Sequence, residues 1–289
     1  MKKLAAALAL SLLPLAFAAQ AEITTTDVVG RKVTVPDVPK RVVLGFYYED
    51  YLAIAGPGSL DRVVGLSLTT WKDWRPKQFA AYEKALPKLK TLPDVGSTDD
   101  NTFSIEKLIA TKPDLLILAT FSYEALGESV KQIEAAGIPV LVLDYLSQTV
   151  DKHVASTLAL GKIMGQEKRA QELADNYRKA FEDIDARIKK AGPTKKKVYF
   201  ELAQKGASEV GNSYGNSMWG ALVTRLGGHN IADGQVGNWG PLSPEYVLSQ
   251  KPDLIFLAGS EWLNKPQAVE MGFDAKEDVT RERIAAYLK

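Results

Sequence analysis

The 289 residues include no cysteine and only two histidines. Without cysteine there is no disulfide, no thiolate metal site and no lipid anchored on a thiol. Two histidines leave little imidazole for holding a bare transition metal, though a tyrosine phenolate could still complete an iron shell. Catalytic signatures are missing as well. There is no Gly-x-Ser-x-Gly elbow, no phosphate-binding loop and no His-Glu-x-x-His, and Gly211-Asn212-Ser213-Tyr214-Gly215 lacks a phosphate-loop lysine. An enzyme is therefore disfavoured. Charge of one sign is lacking too: 36 Lys and Arg stand against 35 Asp and Glu, so nothing points to nucleic acid or an anionic membrane.

A long apolar run occurs once, at the start. Lys2 and Lys3 precede the Ala- and Leu-rich stretch Leu4 to Ala18, and Ala19-Gln20-Ala21 is a small-x-small cleavage site. Residues 1–21 read as a secretory signal peptide, too short to span a bilayer. With no cysteine at the cleavage site, the expected product is exported, unlipidated and soluble, with the periplasm as its home.

What remains alternates strands with helices, the pattern of mostly parallel sheets covered on both faces. Two stretches repeat. Ser104 to Leu118 and Ser243 to Leu257 each run from a Ser-x-Glu helix start through Lys-Pro-Asp into an apolar strand. Between them, residues 166–190 form one amphipathic helix, with Ala170, Leu173, Ala174, Tyr177, Phe181, Ile184 and Ile188 on one face. The expected fold is two Rossmann-like α/β lobes, 22–148 and 193–289, joined by a helical connection over 149–192. The repeat offset puts a last strand of the second lobe near Asp278–Glu282, which is charged and reads as helix. That lobe is expected to lack a final strand and helix.

In such sheets ligands sit beyond the carboxyl ends of the strands. There the first lobe carries Phe46, Tyr47, Tyr48, Trp71, Trp74, Arg75, Phe121 and Tyr123. The second carries Tyr214, Asn216, Trp219, Trp239 and Trp262. Aromatic walls suit flat apolar ligand faces, and Arg75 can pair with an anionic group or stack on a ring. His153 falls on a helix and is expected to be exposed, His229 follows a helix stop, and Arg225 reads as a surface charge.

The two Glu-x-x-x-x-x-Lys-Pro-Asp-Leu units, the run Leu226-Gly227-Gly228-His229-Asn230, the entry hairpin and the single bridging helix resemble the periplasmic siderophore-binding proteins. These are class III substrate-binding proteins of ABC importers, a group that includes cobalamin- and haem-binding members. The resemblance implies a monomer that holds a metal chelate, such as a ferric siderophore, between its lobes without a resident cofactor. It also implies that each lobe offers one acid to a dimeric membrane permease. By position in the repeat these acids are Glu106 and Glu245.

Overall fold

The computed structural model describes residues 22–288, apart from 57, 193, 273 and 274. The signal-peptide reading of residues 1–21 lies outside the described residues. The chain opens with the expected hairpin, β1 (Ile23–Thr26) antiparallel to β2 (Lys32–Val35). Asp27 fixes its turn: the buried carboxylate accepts from the amides of Val29 and Arg31 and pairs with the Arg31 guanidinium at 2.8 Å.

The first sheet is parallel, in the order β4-β3-β5-β6, from β3 (Val42–Leu44), β4 (Val63–Leu66), β5 (Leu115–Ala119) and β6 (Val140–Leu143). Its crossovers carry α1 (Tyr48–Ala55), α2 (Leu68–Lys72), α3 (Pro76–Ala85), α4 (Ile105–Ala110), α5 (Thr120–Leu126) and α6 (Ser129–Ala135). Leu-Leu-Ile-Leu-Ala and Val-Leu-Val-Leu are apolar throughout because helices cover both faces of the sheet. Alternate residues enter opposite cores: Leu115 and Ile117 pack on one side, Leu116 and Leu118 on the other. The chain between β5 and β6 is broken into α5 and α6 because Gly127 takes a positive φ of 49°.

α7 (Val150–Ile163) and α8 (Glu167–Ala191) follow. The 25 residues of α8 extend over roughly 37 Å. The two helices meet where a Cβ on Gly161 would lie 2.1 Å from the Cβ of Ala170. Along the predicted apolar face of α8, burial is complete only at Ala170 and Ala174, while Leu173 and Ile184 remain exposed. The helix leans on the first lobe at its start, and further along Tyr177, Phe181 and Ile188 are half-buried.

The second lobe holds β7 (Lys197–Leu202), β8 (Asn212–Tyr214), α9 (Met218–Arg225), β9 (His229–Asn230), β10 (Trp239–Pro241), α10 (Pro244–Gln250), β11 (Leu254–Ala258) and α11 (Glu277–Ala286). Its parallel sheet runs β11-β7-β9. The glycine-rich stretch Gly211–Gly215 contains β8, paired antiparallel with β10.

The sequence repeat is a repeat of hydrogen bonds. Ser104 caps α4 by accepting from the Lys107 amide at 3.2 Å, and Ser243 caps α10 by accepting from the Tyr246 amide at 3.1 Å. Lys112 and Lys251 both end their helices at φ 49°. Asp114 accepts from the Lys40 and Arg41 amides at 2.8 Å, and Asp253 accepts from the Lys197 amide at 2.7 Å. Each carboxylate thus ties the start of its own strand to the start of the adjacent parallel strand. The Arg41 guanidinium donates to the Thr111 and Lys112 carbonyls, and Lys197 Nζ donates to the Gln250 carbonyl, closing each helix end.

The lobes differ at one edge. Among the described residues the second sheet has three strands to the first sheet's four, and Asp278–Glu282 lies within α11, as its charge foretold. β11 is as apolar as β5, yet Leu254, Ile255 and Phe256 are 41%, 59% and 49% exposed.

The contact between α7 and α8 gives a direct test. Gly161→Val should cost about 1–3 kcal/mol of stability through overpacking against Ala170, read as a lowered urea midpoint. An unchanged midpoint would show that the helices do not meet there.

Candidate functional site

The strands of the first sheet run out into an aromatic cluster centred on Phe46. Its ring lies 5.0 Å from Tyr47, 5.1 Å from Phe121 and 6.3 Å from Trp74. Tyr47 sits at φ 59° just before α1, a strained conformation for an aromatic residue. It is held by an aromatic contact with Tyr145 and by the Tyr145 amide, which donates to its hydroxyl at 3.1 Å. Tyr48 stacks flat on Trp71 at 4.7 Å and hydrogen-bonds Thr70 and the Ser67 carbonyl, while Trp71 meets Phe79 edge-on.

These contacts correct three expected wall residues. Tyr47, Tyr48 and Trp71 are buried in the core, so they form the floor beneath the site rather than its lining. Tyr123 is also displaced: it packs against the opposite core, with the Arg31 guanidinium 4.7 Å over its ring. Trp74, half-buried Phe46 and half-buried Phe121 remain at the surface of the cluster. Arg75 is exposed, and its guanidinium lies 3.5 Å from the Glu49 carboxylate.

On the second lobe the β8–β10 pairing sets Trp239 opposite Tyr214. Asn230 secures that ribbon by donating to the carbonyls of Tyr214 and Gly215 at 2.9 and 2.8 Å. Trp219 lies parallel to Phe200 at 5.4 Å, and Asn216 is exposed. Trp74, Trp219 and Trp239 are 37%, 44% and 60% exposed. Glu201 went unremarked in the sequence, although a lone acid inside Val-Tyr-Phe-Glu-Leu was a visible signal. It is buried and accepts from the Tyr199 hydroxyl and, at 2.9 Å, from the Gly211 amide. Burial raises its carboxyl above the ordinary range. It anchors the chain just before β8.

Between the lobes, the Met218 amide donates to the Leu146 carbonyl and the Leu263 amide to the Asp73 carbonyl, both at 3.1 Å. Lys77 pairs with Glu261, and Trp262, Pro76 and Leu263 line a groove of about 380 Å³ beside that pair. Arg75 lies near enough to Tyr214 to favour its phenolate, against the larger effect of burial, which raises that phenol. Residues from both lobes thus face one space.

The remaining candidates lie elsewhere. His153 is half-buried rather than exposed: its ring stacks on Tyr177 of α8 at 3.6 Å and meets Tyr145 edge-on at 4.7 Å. Burial pushes it down to about 4. His229 is exposed at the start of β9. Arg225 is no simple surface charge, since it pairs with Asp185 of α8 at 2.7 Å and covers the Phe181 ring. Among the described residues, no group of three or more His, Cys, Asp or Glu could hold a metal ion. Glu106 and Glu245 are exposed in the first turns of α4 and α10. The Glu106 carboxyl is held below its ordinary value by its own backbone amide and by the Ser104 hydroxyl.

Residues 43–279 match the family model described as periplasmic binding protein. A solved TroA-like periplasmic binding protein, FepB from Veillonella parvula, superposes with a TM-score of 0.81 at 31% identity over 92% of this chain and 78% of that one. The uncharacterized ABC transporter substrate-binding lipoprotein YvrC of Bacillus subtilis is 26% identical over 81% of this chain and 68% of its own length. The molybdate-binding protein MolA of Haemophilus influenzae is 26% identical over 84% of this chain and 70% of its own length.

The His153 stack predicts a pH dependence. Folded His153 refuses a proton until about pH 4, whereas the unfolded chain accepts one near the ordinary value of 6.5. Stability should therefore fall as pH drops through that window. Denaturant melts should show a shallower decline for His153→Phe than for the parent, and equal slopes would remove His153 as the cause.

Proposed function

The chain belongs to the periplasmic binding protein family, and from that membership we propose that it captures an iron–siderophore complex between its lobes for delivery to an ABC permease. It is an extracytoplasmic substrate-binding protein rather than an enzyme, and its relatives and solved neighbours are binding proteins. Among the described residues no helix is long and apolar enough to cross a membrane.

One observation carries the ligand reading. Three indoles, Trp74 on the first lobe and Trp219 and Trp239 on the second, are exposed, although a folded chain ordinarily covers such rings. Flat, preformed aromatic surfaces suit a large chelate that brings its own donor atoms to the metal. The groove at Trp262 lies at the junction of the lobes. Phe46 and Phe121, braced from beneath by Tyr47, add edge contacts that need no rearrangement on binding.

Delivery rests on the equivalence of Glu106 and Glu245. The two acids occupy the same turn of equivalent capped helices, so a two-fold permease could read both lobes alike.

Titration with ferric chelates should quench tryptophan emission, and Trp→Phe at position 74, 219 or 239 should each remove part of the quench and weaken binding by about 0.5–1.5 kcal/mol. Binding with emission unchanged would take these residues out of the site. Glu106→Ala with Glu245→Ala should abolish uptake while leaving ligand affinity intact. Normal uptake by the double variant would refute the docking role.

A further inference from the structure

We infer that the chelate this cleft accepts is uncharged or cationic rather than polyanionic, an inference that rests on the chelate reading above. A polyanion needs cations to spare, and four of those around the cleft are paired with acids, while Lys265, which shares the groove with Glu270, already favours the charged form of Glu209. Arg75 stands 3.5 Å from Glu49, Lys152 2.9 Å from Asp144 and Lys205 2.7 Å from Glu209, while Lys77 pairs with Glu261.

Acid is left over. Asp50 follows Glu49 in the first turn of α1 and is half-buried beside the same guanidinium. Burial, then the Glu49 charge, pushes its carboxyl up to about 6, against the pull of Arg75. At neutral pH one guanidinium therefore faces two carboxylates at the mouth of the aromatic cluster.

The ribbon side of the opposite wall supplies no compensation. Residues 211–219 and 235–241, which contain the ribbon strands, Asn216 and Trp219, include no charged side chain, and neither do residues 119–123 at the end of β5. What these walls offer is aromatic faces. The π face of an indole is its negative region, which attracts cations and repels anions. In the same place, a trianion would lose its hydration, meet two carboxylates and find its one guanidinium already engaged. An uncharged or cationic complex incurs none of those penalties.

The test uses the full chain and two ferric probes of similar size. Three hydroxamate groups on ferric iron give an uncharged complex, whereas three catecholates give a trianion. Fluorescence titration should show the trihydroxamate binding at least about tenfold more tightly, a difference of about 1.4 kcal/mol. Glu49→Gln releases Arg75 and should narrow the gap several-fold, and Asp50→Asn should do the same at neutral pH. Circular dichroism would confirm that both variants fold. Equal or tighter binding of the tris-catecholate, or a gap that neither variant moves, would overturn the charge inference while leaving chelate capture standing. Failure of both ferric probes, with a response to haem, cobalamin or molybdate instead, would overturn the iron–siderophore reading itself.

Discussion

Each lobe depends on one carboxylate at a strand start. Asp114 and Asp253 follow Lys-Pro, leave their helices through a left-handed lysine and grip the first amides of the adjacent parallel strand. Parallel strands have no hairpin to set their register. An aspartate reaching sideways to the next strand start does that work. With the amino ends of β3 and β5, and of β7 and β11, tied together, their carboxyl ends emerge side by side. Phe46, Phe121 and Trp262 follow directly from those ends.

From this constraint the division of labour among the aromatics follows. Residues that continue the sheet's packing, such as Tyr48 and Trp71, are drawn into the core and stack there. Residues one turn further out, such as Trp74, have no core left to enter. The second lobe reaches the same result differently: its short ribbon, secured by Asn230 and by the Glu201 contact with Gly211, holds Tyr214 and Trp239 outward. The exposed indoles therefore rest on rigid supports, which limits the ordering cost that a ligand must overcome.

The connection between lobes is held at both ends. α8 is clasped to α7 through Gly161 and Ala170 and through the His153–Tyr177 stack, and its far half meets the second lobe through Arg225. Two backbone hydrogen bonds and the Lys77–Glu261 pair supplement it across the cleft. Relative motion of the lobes must therefore break a few identifiable contacts rather than bend a flexible strand.

The α/β class, the repeated helix–turn–strand unit and the long helix were legible in the sequence because each is a local pattern: apolar runs, capping serines, a Lys-Pro-Asp turn, a helical period. The shortfall at the second sheet's edge was legible by comparing one repeat with the other. Which aromatics stay exposed was not. Trp71 and Trp74 are three positions apart, yet one is 2% exposed and the other 37%. Tyr123 faces a core that its position at a strand end did not reveal. Nor could the sequence show that Arg75, expected to meet an anion, is engaged by Glu49, which is 26 positions away. Burial and charge pairing are set by side chains that meet only after folding. The sequence alone thus determined the architecture, and the tertiary structure decided which aromatic faces and which charges stand exposed beyond the strands.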